Sequence, residues 1–420
     1  MILSVRRPFP LFVAGLAILQ AGLSLDGITS AQGYADLGRG LSGLSRSIGA
    51  LAPLVLLVPI GILLDRTRPR AALLTMGLLA AAATVFTWFA SSLWFASFPY
   101  AVLVGVTSAT LVVAAPIAQE TYVPAVAGRD RLLRSNAFMF AASALAVAGA
   151  DLLFSQSHRF FRWLSLPFPA VLLLVAVALF WLMRTSSEQA PSEQAPSEQA
   201  PSEQAPSEQT PSEQTPSEQT LPAPGFLEVV RFARSQPVIR AIGAYLVLTA
   251  IFEPMASEGG VDVPGLRAGA LTFDLLDLAA AVAGAGLAVL LGRGMGMLRL
   301  AWVAVVATQP FALLLLLADD TPWGVACHWL ALYVPLTGWT VTAIALLGLR
   351  QEVVPDGMLG RVAVLLILIA IPPMVVGQAL VHLPALVAVP LGVAGLLVAA
   401  RPLWKAERVA EPETETPVAG

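Results

Sequence analysis

A chain of 420 residues that is 57 % hydrophobic and only 12 % charged, with a mean hydropathy of +0.77 and a net charge of −3, lacks the charged surface a soluble protein of this size needs. That composition excludes a soluble enzyme, and with no basic patch it excludes a nucleic-acid partner; it implies an integral membrane protein. The single cysteine, Cys327, lies in an apolar run and permits no intrachain disulfide.

Arg6 and Arg7, followed by apolar residues from Pro8, have the outline of a secretory signal. With many more apolar runs behind it, the stretch reads instead as an uncleaved first helix. About 20 mostly apolar residues cross the hydrocarbon core, and cutting at charges, prolines and glycines gives twelve such spans. The first six lie at 9–29, 43–64, 71–91, 94–117, 136–155 and 165–183; the second six lie at 238–257, 268–291, 297–318, 323–348, 361–382 and 383–400.

Between the two sets, Ser186 to Thr220 repeats Ser-Glu-Gln-Ala-Pro and then Ser-Glu-Gln-Thr-Pro, with no basic or aromatic residue. Such a segment cannot bury enough apolar surface to offset its conformational entropy. The expected organisation is an all-α membrane protein: a six-helix bundle over 1–185, a disordered linker over 186–224, a second six-helix bundle over 225–401, and a tail over 402–420.

Charge sets the orientation. Nineteen of the 24 Lys and Arg residues fall on one face, and only Arg39, Arg46, Arg159, Arg162 and Arg267 fall on the other. Short loops rich in arginine stay inside, so both termini and the linker are expected in the cytoplasm. Trp88, Trp94, Trp163 and Trp404 sit where interfacial aromatics anchor helices.

The halves also resemble each other. Gln119-Glu120, Val123-Pro124 and Gly128-Arg129 follow the fourth span; Gln351-Glu352, Val354-Pro355 and Gly360-Arg361 follow the tenth. This implies duplication. The proline ends or kinks a helix, and Arg129 and Arg361 can reach a lipid phosphate or a neighbouring helix end.

Between spans two and three stands Gly61-Ile62-Leu63-Leu64-Asp65-Arg66-Thr67-Arg68-Pro69-Arg70. Glycine allows close helix approach, and the acid can pair with an arginine or a helix N-terminus. This loop resembles the signature loop of the major facilitator superfamily, Gly-x-Leu-Ala-Asp-Arg-x-Gly-Arg-Lys/Arg, matching at Gly61, Leu63, Asp65, Arg66 and Arg70 and departing at Leu64, Arg68 and Pro69. The resemblance implies the major facilitator fold, with a cytoplasmic latch at Gly61, Asp65, Arg66 and Arg70. The stretches Tyr122-Val123-Pro124 to Asn136 and Leu349 to Arg361 look like loops of the drug-efflux branch that includes macrolide and enterobactin exporters. Gly149-Ala150-Asp151 stands where the antiporters of that family often carry Gly-Pro-x-x-Gly-Gly, and Gly292-Arg293-Gly294 lacks the acid of the first-half loop.

Acids inside spans cost roughly 2.5 to 3.5 kcal/mol on insertion scales and mark candidate sites. Here they are Asp26, Asp151, Glu253, Asp274 and Asp277, all toward the outer ends of their helices, where together they can form an anionic vestibule that binds protons or attracts cations. They can equally lie in the headgroup region. Asp274 and Asp277 share a helix face. His328 is the histidine inside a span and can relay a proton or bond a neighbouring helix. Gln309-Pro310 and Pro372-Pro373 interrupt two helices.

No phosphate-binding glycine loop, metal-ligand spacing or nucleophile constellation occurs, so neither an enzyme nor a cofactor is expected. The expected function is that of a secondary active transporter working as a monomer in the plasma membrane by alternating access. It would export an amphiphilic small molecule, a drug-like compound or a siderophore, coupled to protons, with membrane lipid as its surroundings. An importer of the same fold, or a transport-inactive sensor or assembly partner, shares most of these features.

Overall fold

The computed structural model describes residues 8–35, 55–92, 98–160, 168–183, 225–257 and 270–410. The repeat segment, Trp94, Trp163 and the tail beyond Ala410 lie outside the described residues, as does the side chain of Trp88.

The described chain is helical throughout. The first half contains α1 (Pro8–Ala35), α2 (55–66), α3 (Pro69–Ser92), α4 (Phe98–Ala127), α5 (Leu132–Phe160) and α6 (Phe168–Leu182). The second contains α7 (Phe226–Ser235), α8 (Pro237–Ser257), α9 (Ala270–Leu291), α10 (Met297–Thr308), α11 (Pro322–Val353), α12 (Leu359–Leu380) and α13 (Ala385–Ala410). Apart from the short α7, each helix corresponds to one expected span. Seven described segments have both the length and the hydropathy to cross a membrane.

Local chemistry explains the ends. The carboxylate of Glu228 accepts the Gly225 N–H at 3.0 Å and starts α7. Thr321 caps α11 by accepting the Gly324 N–H at 3.0 Å, with Pro322 in the first turn, where its missing N–H costs nothing. After Thr308 the chain tightens into a 3-10 helix over Gln309–Leu317, beginning where Pro310 cannot donate. The break between α12 and α13 falls at Pro384, close to the expected division.

Two cores form, each largely from one half. Phe12, Leu16, Leu73, Ile117, Met139, Leu173 and Phe180 pack in the first, joined by Ala363 and Val364 of α12. Ile239, Tyr245, Leu300, Ile344 and Leu403 pack in the second, joined by Ala137 of α5. The halves meet where α4 lies on α12 and where α5 lies on α9 and α11. Large apolar side chains such as Leu79, Leu145, Trp181 and Trp323 remain exposed, as lipid-facing positions require.

α13 continues past the expected boundary at 401 to Ala410. Glu407 there accepts from Trp302 Nε1 at 2.5 Å, and the Arg408 guanidinium stacks 3.9 Å from the Trp404 ring centroid. Polar anchoring to α10 therefore extends the helix beyond its apolar run.

Candidate functional site

The end of the molecule bearing the loops 66–70, 128–131, 292–296 and 354–358, the arginine-rich face, is closed by contacts between the halves. Asp65, at the end of α2, accepts from Gly360 N at 2.7 Å, Arg361 N at 3.2 Å and Arg361 Nε at 2.8 Å. Its side chain is 1 % exposed and that of Arg361 is 3 % exposed. The carboxylate thus satisfies free N–H groups at the start of α12 and neutralises a buried guanidinium, which also donates to the Gly357 carbonyl.

Glycines make this approach possible. A Cβ on Gly61 would stand 2.8 Å from Val364 Cγ2, and one on Gly360 would stand 2.9 Å from the Gly61 carbonyl oxygen. The other residues of the loop act differently: Arg70 donates to the Trp181 carbonyl at 2.7 Å, within the first half, and Arg66 is exposed. Tyr122 of α4 donates its hydroxyl to Leu64 O at 3.1 Å and holds the end of α2. Arg129 crosses between the halves too, reaching Glu352 O at 3.1 Å, Val354 O at 3.2 Å and Asp356 Oδ1 at 2.8 Å.

Deeper between the halves lies a buried polar group. Pro124 has no N–H, so the helix leaves the carbonyl of Glu120, four residues earlier, without its usual donor. Gln351 of α11 supplies one, its Nε2 donating to Glu120 O at 2.9 Å, while Asn136 Nδ2 donates to Gln351 Oε1 at 2.7 Å. The Glu120 carboxylate pairs with Arg350 at 3.1 Å, the side chains being 7 % and 17 % exposed. Glu120 Oε1 and Arg350 Nε have no hydrogen-bond partner among the described residues.

Both side chains line a cavity of about 250 Å³ between the halves. Phe140, Tyr245, Trp339 and Leu346 give it apolar walls, and Gln119, Thr249 and Thr342 add polar groups. An ion pair with spare capacity on each partner, set among aromatic rings, suits a small molecule with both apolar and polar parts.

Glu253 and Asp277 come together. With Ser257, Gln309 and Trp339 they line a second cavity, of about 330 Å³, within the second half and nearer the opposite face. Asp151 is half-buried on α5 beside Ala150 and Phe154, which pack on α1, away from both cavities. His328 is half-buried on α11 with its ring edge-on to Trp329 at 5.6 Å, and it lines neither cavity. Asp26 and Asp274 lie on α1 and α9, but their side chains fall outside the described residues. Among the described residues no cluster of three metal-ligating side chains occurs.

Glu120, Arg350, Gln351 and Asn136 were not expected as site residues. The apolar run of span four ends at 117, so the sequence predicts Glu120 in the following turn, whereas α4 continues to Ala127. The available signal was Pro124, four residues after an acid, in a turn repeated in both halves.

Comparison with known proteins agrees with this architecture. The sequence profile of the Major Facilitator Superfamily matches residues 11–370. Among solved structures, a bacterial homologue of the iron transporter ferroportin in an outward-facing state, soaked with iron, superposes with a TM-score of 0.69 at 16 % identity, over 95 % of this chain and 99 % of that one. The transporter FucP in its outward conformation gives 0.67 at 13 % identity, over 96 % and 99 %. The human organic anion transporter MFSD10 gives 0.64 at 14 % identity, over 97 % and 99 %. At these identities the likeness shows the fold alone. No curated protein sequence matches the chain. With the profile spanning both halves, the chain belongs to the Major Facilitator Superfamily, a multi-pass membrane transporter of the secondary kind.

Proposed function

We propose that this protein exports an amphiphilic small molecule, a drug-like compound or a siderophore, in exchange for protons, by rocking its two bundles about the central cavity. The observation that carries the reading is the Glu120–Arg350 pair, which lines the cavity between the halves with one carboxylate oxygen uncommitted. A proton arriving on Glu120 removes its charge, and a substrate donor or cationic group that binds the same carboxylate competes with that proton; such competition is what couples two opposed fluxes.

The aromatic and aliphatic walls favour the apolar part of the substrate. Outward transport is supported by the resemblance of the loops at 122–136 and 349–361 to those of exporters. The arginine-rich face lies in the cytoplasm of the plasma membrane on this reading, in keeping with the distribution of Lys and Arg. Asp65 and Arg361 then close the inside, and the protein works as a monomer with the substrate cavity opening outward.

The test is substrate efflux from cells overproducing the protein, across a panel of amphiphiles, with and without a protonophore. Efflux should collapse with the protonophore, and Glu120→Gln should abolish proton-driven efflux while retaining substrate exchange. Efflux that survives the protonophore and requires ATP directly refutes the coupling. Vesicles of known orientation decide between export and import: accumulation in right-side-out vesicles driven by an inward proton gradient would identify an importer.

A further inference from the structure

Within the duplication one loop is repeated with a change of charge. Gly61-Ile62-Leu63-Leu64-Asp65-Arg66 at the end of α2 corresponds, residue for residue, to Ala288-Val289-Leu290-Leu291-Gly292-Arg293 at the end of α9. Gly292 therefore stands where the first half has Asp65. Arg129 is likewise the counterpart of Arg361.

The second crossing is as close as the first. A Cβ on Gly292 would stand 2.1 Å from Leu133 Cδ2, so α9 lies against the start of α5 as α2 lies against the start of α12. What differs is the electrostatics. With no carboxylate at 292, Arg129 turns toward Asp356 on the far side. Beneath it opens a cleft of about 620 Å³, lined by Arg129, Arg131 and Arg134 of the first half and Arg293 of the second, with Asp130 and Glu352.

Four guanidinium groups line this cleft with two carboxylates. Arg131 is held by Asp130 at 3.3 Å. Arg134 and Arg293, one from each half, make no ion pair or hydrogen bond among the described residues.

We propose that this cleft binds a phosphate group, from an anionic phospholipid headgroup or a soluble phosphate ester, which bridges Arg134 and Arg293. The forked donors of arginine match phosphate oxygens two at a time, and the bound anion supplies the negative charge that Asp65 supplies at the first crossing. The first latch is thus closed by the protein's own carboxylate and the second by a ligand. Because the two arginines belong to different halves, the ligand favours the arrangement that holds them close, by the difference in its affinity for the closed and open forms. The arginines are exposed, so added salt weakens the binding. None of this depends on the direction of transport or on proton coupling.

The experiment measures thermal unfolding of the full-length protein in a neutral detergent with phosphatidylglycerol, with phosphatidylcholine, and with glycerol 3-phosphate. A rise in the unfolding midpoint with phosphatidylglycerol alone identifies the lipid headgroup as the source; an equal rise with glycerol 3-phosphate identifies a soluble ester. In either case Arg134→Gln/Arg293→Gln should lose at least half the rise, whereas Arg231→Gln/Arg234→Gln, which removes two exposed arginines on α7, should keep it. Absence of any rise, or a rise undiminished in the cleft variant, overturns the proposal, as does equal loss in the α7 variant.

Discussion

Asp65 Oδ2 lies 2.8 Å from Arg361 Nε while Asp65 Oδ1 takes the Gly360 N–H at 2.7 Å, so a single buried carboxylate serves as counter-ion and helix cap across the two halves. Asp65→Asn keeps the shape and removes the charge that lies 2.8 Å from a guanidinium only 3 % exposed. Breaking a buried pair in this way costs about 3 to 5 kcal/mol, and here the cost falls on the closed arrangement. Spin labels at Arg68→Cys and Ser235→Cys, in a Cys327→Ser background, should report a new, longer distance in Asp65→Asn. An unchanged distance distribution would show that the pair does not hold this face shut.

The amide chain from Asn136 through Gln351 to the Glu120 carbonyl predicts non-additive stability. Gln351→Leu strands both the Asn136 amide and the carbonyl freed by Pro124, at about 1 to 3 kcal/mol for each buried group left unmade. Asn136→Leu strands Gln351 in turn. The double variant should be less destabilised than the two single losses combined, by 0.5 kcal/mol or more, in detergent unfolding curves. Strict additivity would mean that the groups act independently.

Glu253 and Asp277 line one cavity from α8 and α9, and Asp26 belongs to the first helix of the other half. Asp26→Asn and Glu253→Gln should each reduce proton-driven transport at least tenfold while changing the unfolding midpoint little. Asp277→Asn should resemble Glu253→Gln, because the two acids border the same space. Normal transport in both Asp26→Asn and Glu253→Gln removes these acids from the proton pathway.

Cutting the Ser-Glu-Gln repeat to two units should leave transport within twofold of the full chain. The 35 residues of the repeat carry no basic, aromatic or large aliphatic side chain from which a transport cavity could be lined. Flux assays on membranes matched for protein content make the comparison. A large loss of flux with normal membrane insertion would give the repeat a role beyond tethering.

Much of the fold is legible in the chain because the signals are local. A bilayer demands about 20 apolar residues for each crossing, and every helix must satisfy its own backbone, so runs such as 361–382 and 323–348 announce themselves. The loop from Gly61 to Arg70 is equally readable: small residue, acid and arginines stand within ten positions. Its partner is not, because nothing near Asp65 in sequence says that Arg361, 296 residues away, will meet it.

Glu120 shows the limit most clearly. A glutamate beside a glutamine, with proline four residues on, reads as the polar end of a helix, and by local propensity that reading is sound. In the folded protein α4 continues to Ala127, because Arg350 neutralises the carboxylate and Gln351 occupies the carbonyl that Pro124 leaves open. The same holds for the intramembrane acids. Sequence alone determined that Glu253, Asp277 and Asp151 would be costly in a span; tertiary structure decided that the first two share a cavity and the third does not. Apolar length is set by the solvent each segment must cross, whereas a buried charge is stabilised by whichever distant groups the packing brings to it.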